Sequence, residues 1–344
     1  SEAVTRRIAV LTLAAIGFSL AQEPVIRGGV DLVDLLITVR DKKGNLVKDL
    51  EQSGFTVFED GKQQEIRRFS RETELPLTLG MLIDVSGSVA EELVEERRAA
   101  RQFFEQVLRK QDRAFVISFG REAMLEQDLT DSLRKLEDGL DEVRPDGLYS
   151  RPRQLIGQNQ FPGQYPGGGR NRFPIPVPAP QPRRNPGPGG RGGQITLGGT
   201  VLYDAIYLAS DEVLKPVSGR KAIILITDGE DHGSKVRLSE AIEAAQKSDT
   251  IIYSIFVKPD RRGSGADDVL ERLSTETGGR MFRLERRNLD KIFAEINDEL
   301  RSQYSLSYAS SNPDRDGYFR KIEVRMKDKN QKAATRAGYY ATDH

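Results

Sequence analysis

The stretch LTLGMLIDVSGS, residues 77–88, decides how the chain folds. Leu77 to Ile83 reads as one continuous apolar strand, the pattern of a strand buried on both faces of a sheet. Asp84-Val85-Ser86-Gly87-Ser88 then ends it, and a helix over about Val89 to Leu108 follows. Val89, Leu93, Ala100, Phe103, Phe104, Val107 and Leu108 lie on one face of that helix. The same alternation continues downstream. Strands are expected over Phe115–Phe119, Ala222–Thr227, Ile251–Val257 and Arg280–Leu284. Helices are expected over Thr130–Val143, Val201–Leu214, Leu238–Lys247, Asp267–Thr275 and Asn288–Arg301. Apolar strands alternating with helices predict an α/β fold, a doubly wound, mainly parallel sheet covered on both faces. Ligands in such folds sit at the carboxyl ends of the strands.

Asp84, Ser86 and Ser88 stand at one of those ends, where a strand end projects the carboxylate and the turn presents two hydroxyls at alternate positions. Thr200, after Gly198-Gly199 at a helix start, and Asp228, after the apolar strand ending Ile226-Thr227, offer two more oxygens in register. Oxygen-only ligands with few charges suit a hard cation such as Mg²⁺. Asp and Ser are equally good helix N-caps, so the triplet alone also fits a capped helix start. Asp204 falls in the first turn of its helix and reads as structural. Glu230 and Asp231 either brace the site from behind the ligands or, as two exposed loop acids, are solvated, the reading preferred here; His232 reads as a surface residue.

These five residues, in this order on strand ends and loops, resemble the von Willebrand factor type A domain with its metal-ion-dependent adhesion site. Asp84, Ser86 and Ser88 match the family's D-x-S-x-S motif, Thr200 its separate threonine and Asp228 its late aspartate. The resemblance covers residues 72–302 apart from an insert. The flanks, Val30–Phe69 and Gln303–Ala341, resemble those of VWFA-related proteins from Acidobacteria and similar bacteria. The resemblance implies that Ser86 and Ser88 coordinate Mg²⁺ (or Mn²⁺) directly, Thr200 directly or through water, and Asp84 and Asp228 through bound water. Direct ligands that are mostly neutral leave the cation electrophilic, so a partner protein's Asp or Glu carboxylate fills the open position. The family also implies that the last helix, about Asn288 to Arg301, shifts on ligand binding; because it runs straight into the strand at Tyr304, that shift is expected to reach the sandwich.

Composition narrows the alternatives. The chain has 344 residues, more than one ordinary core accommodates, and is 37% hydrophobic, enough for packed domains. Lys and Arg number 52, as do Asp and Glu, which leaves no charge footprint for nucleic acid. Cysteine is absent, excluding disulfides, thiolate metal sites and a lipoprotein anchor, and only two histidines occur. A serine-triad enzyme would need Ser86 in a G-x-S-x-G setting, which it lacks. A phosphatase using Asp84 would want a second acid at position 86. The expected function is therefore non-enzymatic protein binding. The alternatives are an assembly protein whose metal serves folding only and, further off, a metal-dependent hydrolase.

Four further segments complete the expectation. Arg6-Arg7, an apolar run from Ile8 to Leu20 and a small-residue site at Ser19-Leu20-Ala21 make residues 1–21 an export signal, with a periplasmic or extracellular destination. Residues 147–195 hold ten of the 16 prolines, eleven glycines, seven arginines and no acid, and are expected to be disordered. They act either to steer acidic partners or as a passive tether. Residues 22–71 and 303–344 each carry β-patterned runs too few to bury a core alone. Together they supply about seven strands, so one immunoglobulin-like sandwich built from both flanks is expected around the inserted α/β domain.

Overall fold

The computed structural model describes residues 32–71, 75–87, 93–145, 200–257, 265–284 and 288–341. The export-signal reading, the insert 147–195 and Ser88 lie outside these residues. Strands β1 (Leu32–Asp41), β2 (Phe55–Glu59), β3 (Lys62–Gln64) and β4 (Ile66–Arg71) come first. The central region then runs β5 (Leu77–Asp84), α1 (Leu93–Val107), β6 (Arg113–Phe119), β7 (Ala123–Thr130) and α2 (Leu133–Glu142). It continues with α3 (Leu202–Tyr207), a π-helical turn over Leu208–Leu214, β8 (Arg220–Thr227), α4 (Leu238–Lys247), β9 (Thr250–Phe256), α5 (Ala266–Thr277), β10 (Met281–Arg283) and α6 (Leu289–Leu300). Strands β11 (Tyr304–Ala309), β12 (Phe319–Met326), β13 (Gln331–Ala334) and β14 (Gly338–Tyr340) close the chain.

The central sheet has six strands in the order β10-β9-β8-β5-β6-β7, parallel except for the β6–β7 pair. Side chains of β5 alternate between its two faces. Leu77, Leu79, Met81 and Ile83 join α1, α2 and α6 in one core, while Leu82 joins α3, α4 and α5 in the other. Every residue of β5, β8 and β9 is buried, which is why these strands read as near-continuous apolar runs. Gly80 is required by contact rather than by backbone angle. A Cβ there would stand 2.4 Å from the Phe115 ring, which packs across the gap from β6.

Two further sheets, β13-β1-β11-β4 and β14-β12-β2-β3, take their strands from both flanks of the chain. Leu35, Ile37, Phe55, Val57, Tyr304, Leu306, Tyr308 and Ile322 from both sheets share one core, making a sandwich. It has eight strands rather than about seven, because the run 333–340 breaks at Thr335–Ala337 and a short β3 precedes β4.

Where both flanks meet the central region, Arg220 at the start of β8 joins them. Its buried guanidinium donates to the Leu75 carbonyl from Nε and Nη2 (3.2 and 3.0 Å) and to the Leu300 carbonyl from Nη1 (2.6 Å). The chain entering β5 and the chain leaving α6 are thus tied to one side chain. Nearby, Glu299 of α6 is buried and pairs with Arg40 of β1 and with Arg280.

Two expectations are corrected. Residues 123–130 form an antiparallel edge strand, and α2 begins only at Leu133, after Ser132, whose hydroxyl accepts from the Lys135 amide. Strand β7 is largely half-exposed and carries Glu126, Gln127 and Asp128, so it shows no apolar run. The expected single helix over 201–214 is α-helical only to Tyr207 and then widens.

Candidate metal site at the strand ends

The chain runs from β5 outward through β6 and β7, then crosses back to lay β8 on the other side of β5. The order in which strands are added therefore reverses between the parallel strands β5 and β8, the place where such sheets open a crevice beyond their carboxyl ends. Asp84 is the last residue of β5 and Asp228 the first after β8. Register sets Asp84 opposite Thr227, one residue before Asp228, since Ile83 pairs with Ile226.

Asp84 is 1% exposed. Its Oδ1 accepts from the Ser86 amide (2.9 Å) and its Oδ2 from the Thr227 hydroxyl (2.6 Å). Burial pushes its carboxyl up to about 6; hydrogen bonds from Ser86 and Thr227 oppose that rise, and the charge of Asp228 adds to it. Thr227 Oγ1 also accepts from the Gly229 amide (3.0 Å). Asp228 Oδ1 accepts from the Glu230 amide (3.2 Å), while its buried Oδ2 has no hydrogen-bond partner among the described residues. Gly229 makes the turn in the left-handed region, φ +74°, and a Cβ there would meet Ala266 Cβ at 3.0 Å.

Thr200 is buried and held by its backbone. Its carbonyl accepts from the His232 amide (3.0 Å), and the next amide, Val201, donates to the Gly120 carbonyl just past β6 (2.8 Å). The start of α3 is fixed to the loop after β8. Ser234 Oγ accepts from the Tyr203 and Asp204 amides (3.0 and 3.1 Å) and donates to Asp231 Oδ1 (2.5 Å). Asp204 Oδ1 in turn accepts from the Lys235 and Val236 amides (2.8 and 3.0 Å).

Of the five expected site residues, Asp84, Ser86 and Asp228 gather at the crevice, and Thr200 is tied to the loop that carries Asp228. Ser88 lies outside the described residues. Asp231 is corrected. It is half-buried and braces Ser234 under α3, so it is no solvated loop acid. Glu230 is also half-buried, and its Oε2 meets the exposed His232 ring at 3.1 Å. Thr227 went unnoticed in the sequence. A lone hydroxyl ending an otherwise apolar strand, next to an aspartate, was the available signal.

The donor set fits a small hard cation held partly by hydroxyls. Two buried aspartates face one crevice, one with an oxygen that has no hydrogen-bond partner among the described residues, and no described cationic side chain in the hydrogen bonds above offsets the repulsion between them. Among the described residues no cluster of three or more His, Cys, Asp or Glu is placed to hold a metal, so carboxylates alone do not make the site.

A family model for the von Willebrand factor type A domain matches residues 193–295. Residues 193–295 carry the sequence pattern of a von Willebrand factor type A domain. The matched stretch includes Thr200 and Asp228 and begins where the insert ends, leaving Asp84 and Ser86 upstream of it. No curated protein sequence matches significantly. Among solved structures, BatB of Bacteroides thetaiotaomicron is similar at 18% identity and TM-score 0.43, covering 66% of this chain and 100% of that one. The vWF domain of the type V pili tip protein Mfa5 from Porphyromonas gingivalis gives 12% identity and TM-score 0.45, with 66% and 95% covered. Proximal thread matrix protein 1 from the mussel byssus, solved with a zinc-occupied MIDAS motif, gives 15% identity and TM-score 0.45, with 70% and 49% covered. Values this low carry neither a residue nor a ligand across to this chain.

Proposed function

We propose that the protein is an exported, periplasmic or extracellular module that binds a partner protein through Mg²⁺, with Mn²⁺ as an alternative occupant. Asp84, Ser86, Ser88, Thr200 and Asp228 hold the ion. The observation that carries this reading is the pair of buried carboxylates at the switch point, with Asp228 Oδ2 unsatisfied and Asp84 pushed up to about 6. A divalent cation satisfies the first and relieves the second. When bound, the cation supplies an electrophilic position for an Asp or Glu carboxylate of the partner. The protein groups hold, orient and shield it, and the reading is binding without catalysis.

A displayed random-peptide library panned on the full chain tests this. Enriched peptides are expected to carry Asp or Glu, to need Mg²⁺, and to be lost in EDTA and in Asp228→Ala. Peptides without acids, or capture that survives EDTA, would contradict the reading. In that case a metal serving only folding or assembly would take its place.

A further inference from the structure

The helix that follows Thr200 changes character in the middle. Over α3 it is α-helical, but from Leu208 to Leu214 its hydrogen bonds lengthen to i→i+5, ending with the Lys215 amide on the Ser210 carbonyl at 2.9 Å. A π segment is an α-helix with one residue too many for its length, and such segments are rare and concentrate at functional sites. This one also holds a hydroxyl at a loss. Ser210 Oγ is fully buried and has no hydrogen-bond partner among the described residues.

Both ends of the element are pinned: Leu202, Ala205 and Ile206 at the front share one core with Leu208, Ala209 and Leu214 at the back, and the front is held by polar neighbours as well. At the front, Ser234 and Asp231 hold the Tyr203 and Asp204 amides, His232 holds the Thr200 carbonyl, and Gly120 holds the Val201 amide. At the back, Leu208, Ala209 and Leu214 are buried in the core shared with Leu82, Phe115, Ile117 and Leu225 of the sheet. A regular α-helix fixes the phase between its ends at about 100° per residue. With both ends pinned, an extra residue can be absorbed only where the helix widens.

We propose that the Leu208–Leu214 π segment is a one-residue spacer that sets the phase of α3 and so places Thr200 at the crevice with Asp84 and Asp228. The proposal rests on the metal reading of those residues for its purpose, but not for its geometry. Without the spacer the back of the helix stays in the core, while its front turns by about 100° and moves by about 1.5 Å. The place of Thr200 is then taken by the residue before it. The segment is a positioning element and touches no ligand.

The test compares three full-length variants, ΔSer210, Ser210→Ala and ΔSer210 combined with Gly199→Thr. Each is assayed by thermal unfolding in EDTA, Mn²⁺ calorimetry and exchange of the Val201 amide. Ser210→Ala, which keeps the spacer, is expected to bind Mn²⁺ within two-fold of wild type. ΔSer210 is expected to remain folded, lose at least ten-fold in Mn²⁺ affinity and exchange Val201 faster. Gly199→Thr is expected to restore most of the affinity. Wild-type Mn²⁺ affinity and Val201 protection in ΔSer210 would overturn the proposal. So would a ΔSer210 chain that does not fold, because the segment would then be a requirement of the core. If wild type binds no Mn²⁺ yet ΔSer210 still deprotects Val201, the spacer stands and the metal reading fails.

Discussion

Thr227 Oγ1 lies 2.6 Å from Asp84 Oδ2, bridging the ends of the two parallel strands at which the order of strand addition reverses. Thr227 is fully buried, so no water replaces it as a donor. The bond partly opposes the burial that pushes Asp84 up, and it fixes the carboxylate plane beside Asp228.

Thr227→Val removes this donor with little change of shape. An ionised carboxylate left short of a buried hydrogen bond costs about 1–3 kcal/mol. Urea unfolding in EDTA is expected to show that loss at pH 7. The deficit should shrink at pH 5, where Asp84 is mostly protonated.

Asp84→Asn tests the electrostatics directly. The folded carboxyl stands at about 6 against an ordinary 3.8, a rise worth about 3 kcal/mol at the level of 1.36 kcal/mol per unit. Because the folded value is the higher, metal-free stability is fully present below about pH 4 and is lost as pH rises through about 6. Metal-free Asp84→Asn is therefore expected to be more stable than wild type at pH 7 and equal to it near pH 4. A variant less stable at both values would show that burial of this charge carries no penalty.

Ser234→Ala removes the acceptor of two amides at the start of α3. A lost N-terminal cap of this kind costs about 0.5–2 kcal/mol. Chemical denaturation is expected to register it, together with weaker Mn²⁺ binding as Thr200 loosens.

Arg220→Leu acts at the opposite end of β8. It leaves the buried Leu300 carbonyl without this donor, at about 1–3 kcal/mol, and the more exposed Leu75 carbonyl without it at less cost. The loss should appear in urea unfolding while the stabilisation by Mg²⁺ remains, because the strand ends at Asp84 and Asp228 are untouched.

Much of this was legible in the sequence, and the exceptions have physical causes. Strands β5, β8 and β9 are buried on both faces, so their apolar runs announce themselves. Strand β7 at the sheet edge is half-exposed and polar, and its pairing with β6 depends on a partner that local pattern does not reveal. The π segment is invisible for a similar reason. Its sequence, LASDEVL, has ordinary helix formers, and the widening follows from what holds its two ends. Asp84 and Asp228 could be placed at strand ends because each follows an apolar run. Thr227 and Asp231 were missed, because their roles rest on distances of 2.6 and 2.5 Å that only the fold creates.

Thermal unfolding of the full chain in EDTA, Mg²⁺ and Mn²⁺, beside Asp228→Ala, tests the metal site most directly. At 100-fold excess over its dissociation constant, a ligand of the native state stabilises by about 2.7 kcal/mol, which raises the melting point of a domain this size by about 5–10 °C. The account predicts that rise in wild type and its loss in Asp228→Ala. An unchanged melting point in wild type, or an equal rise in the variant, would contradict it.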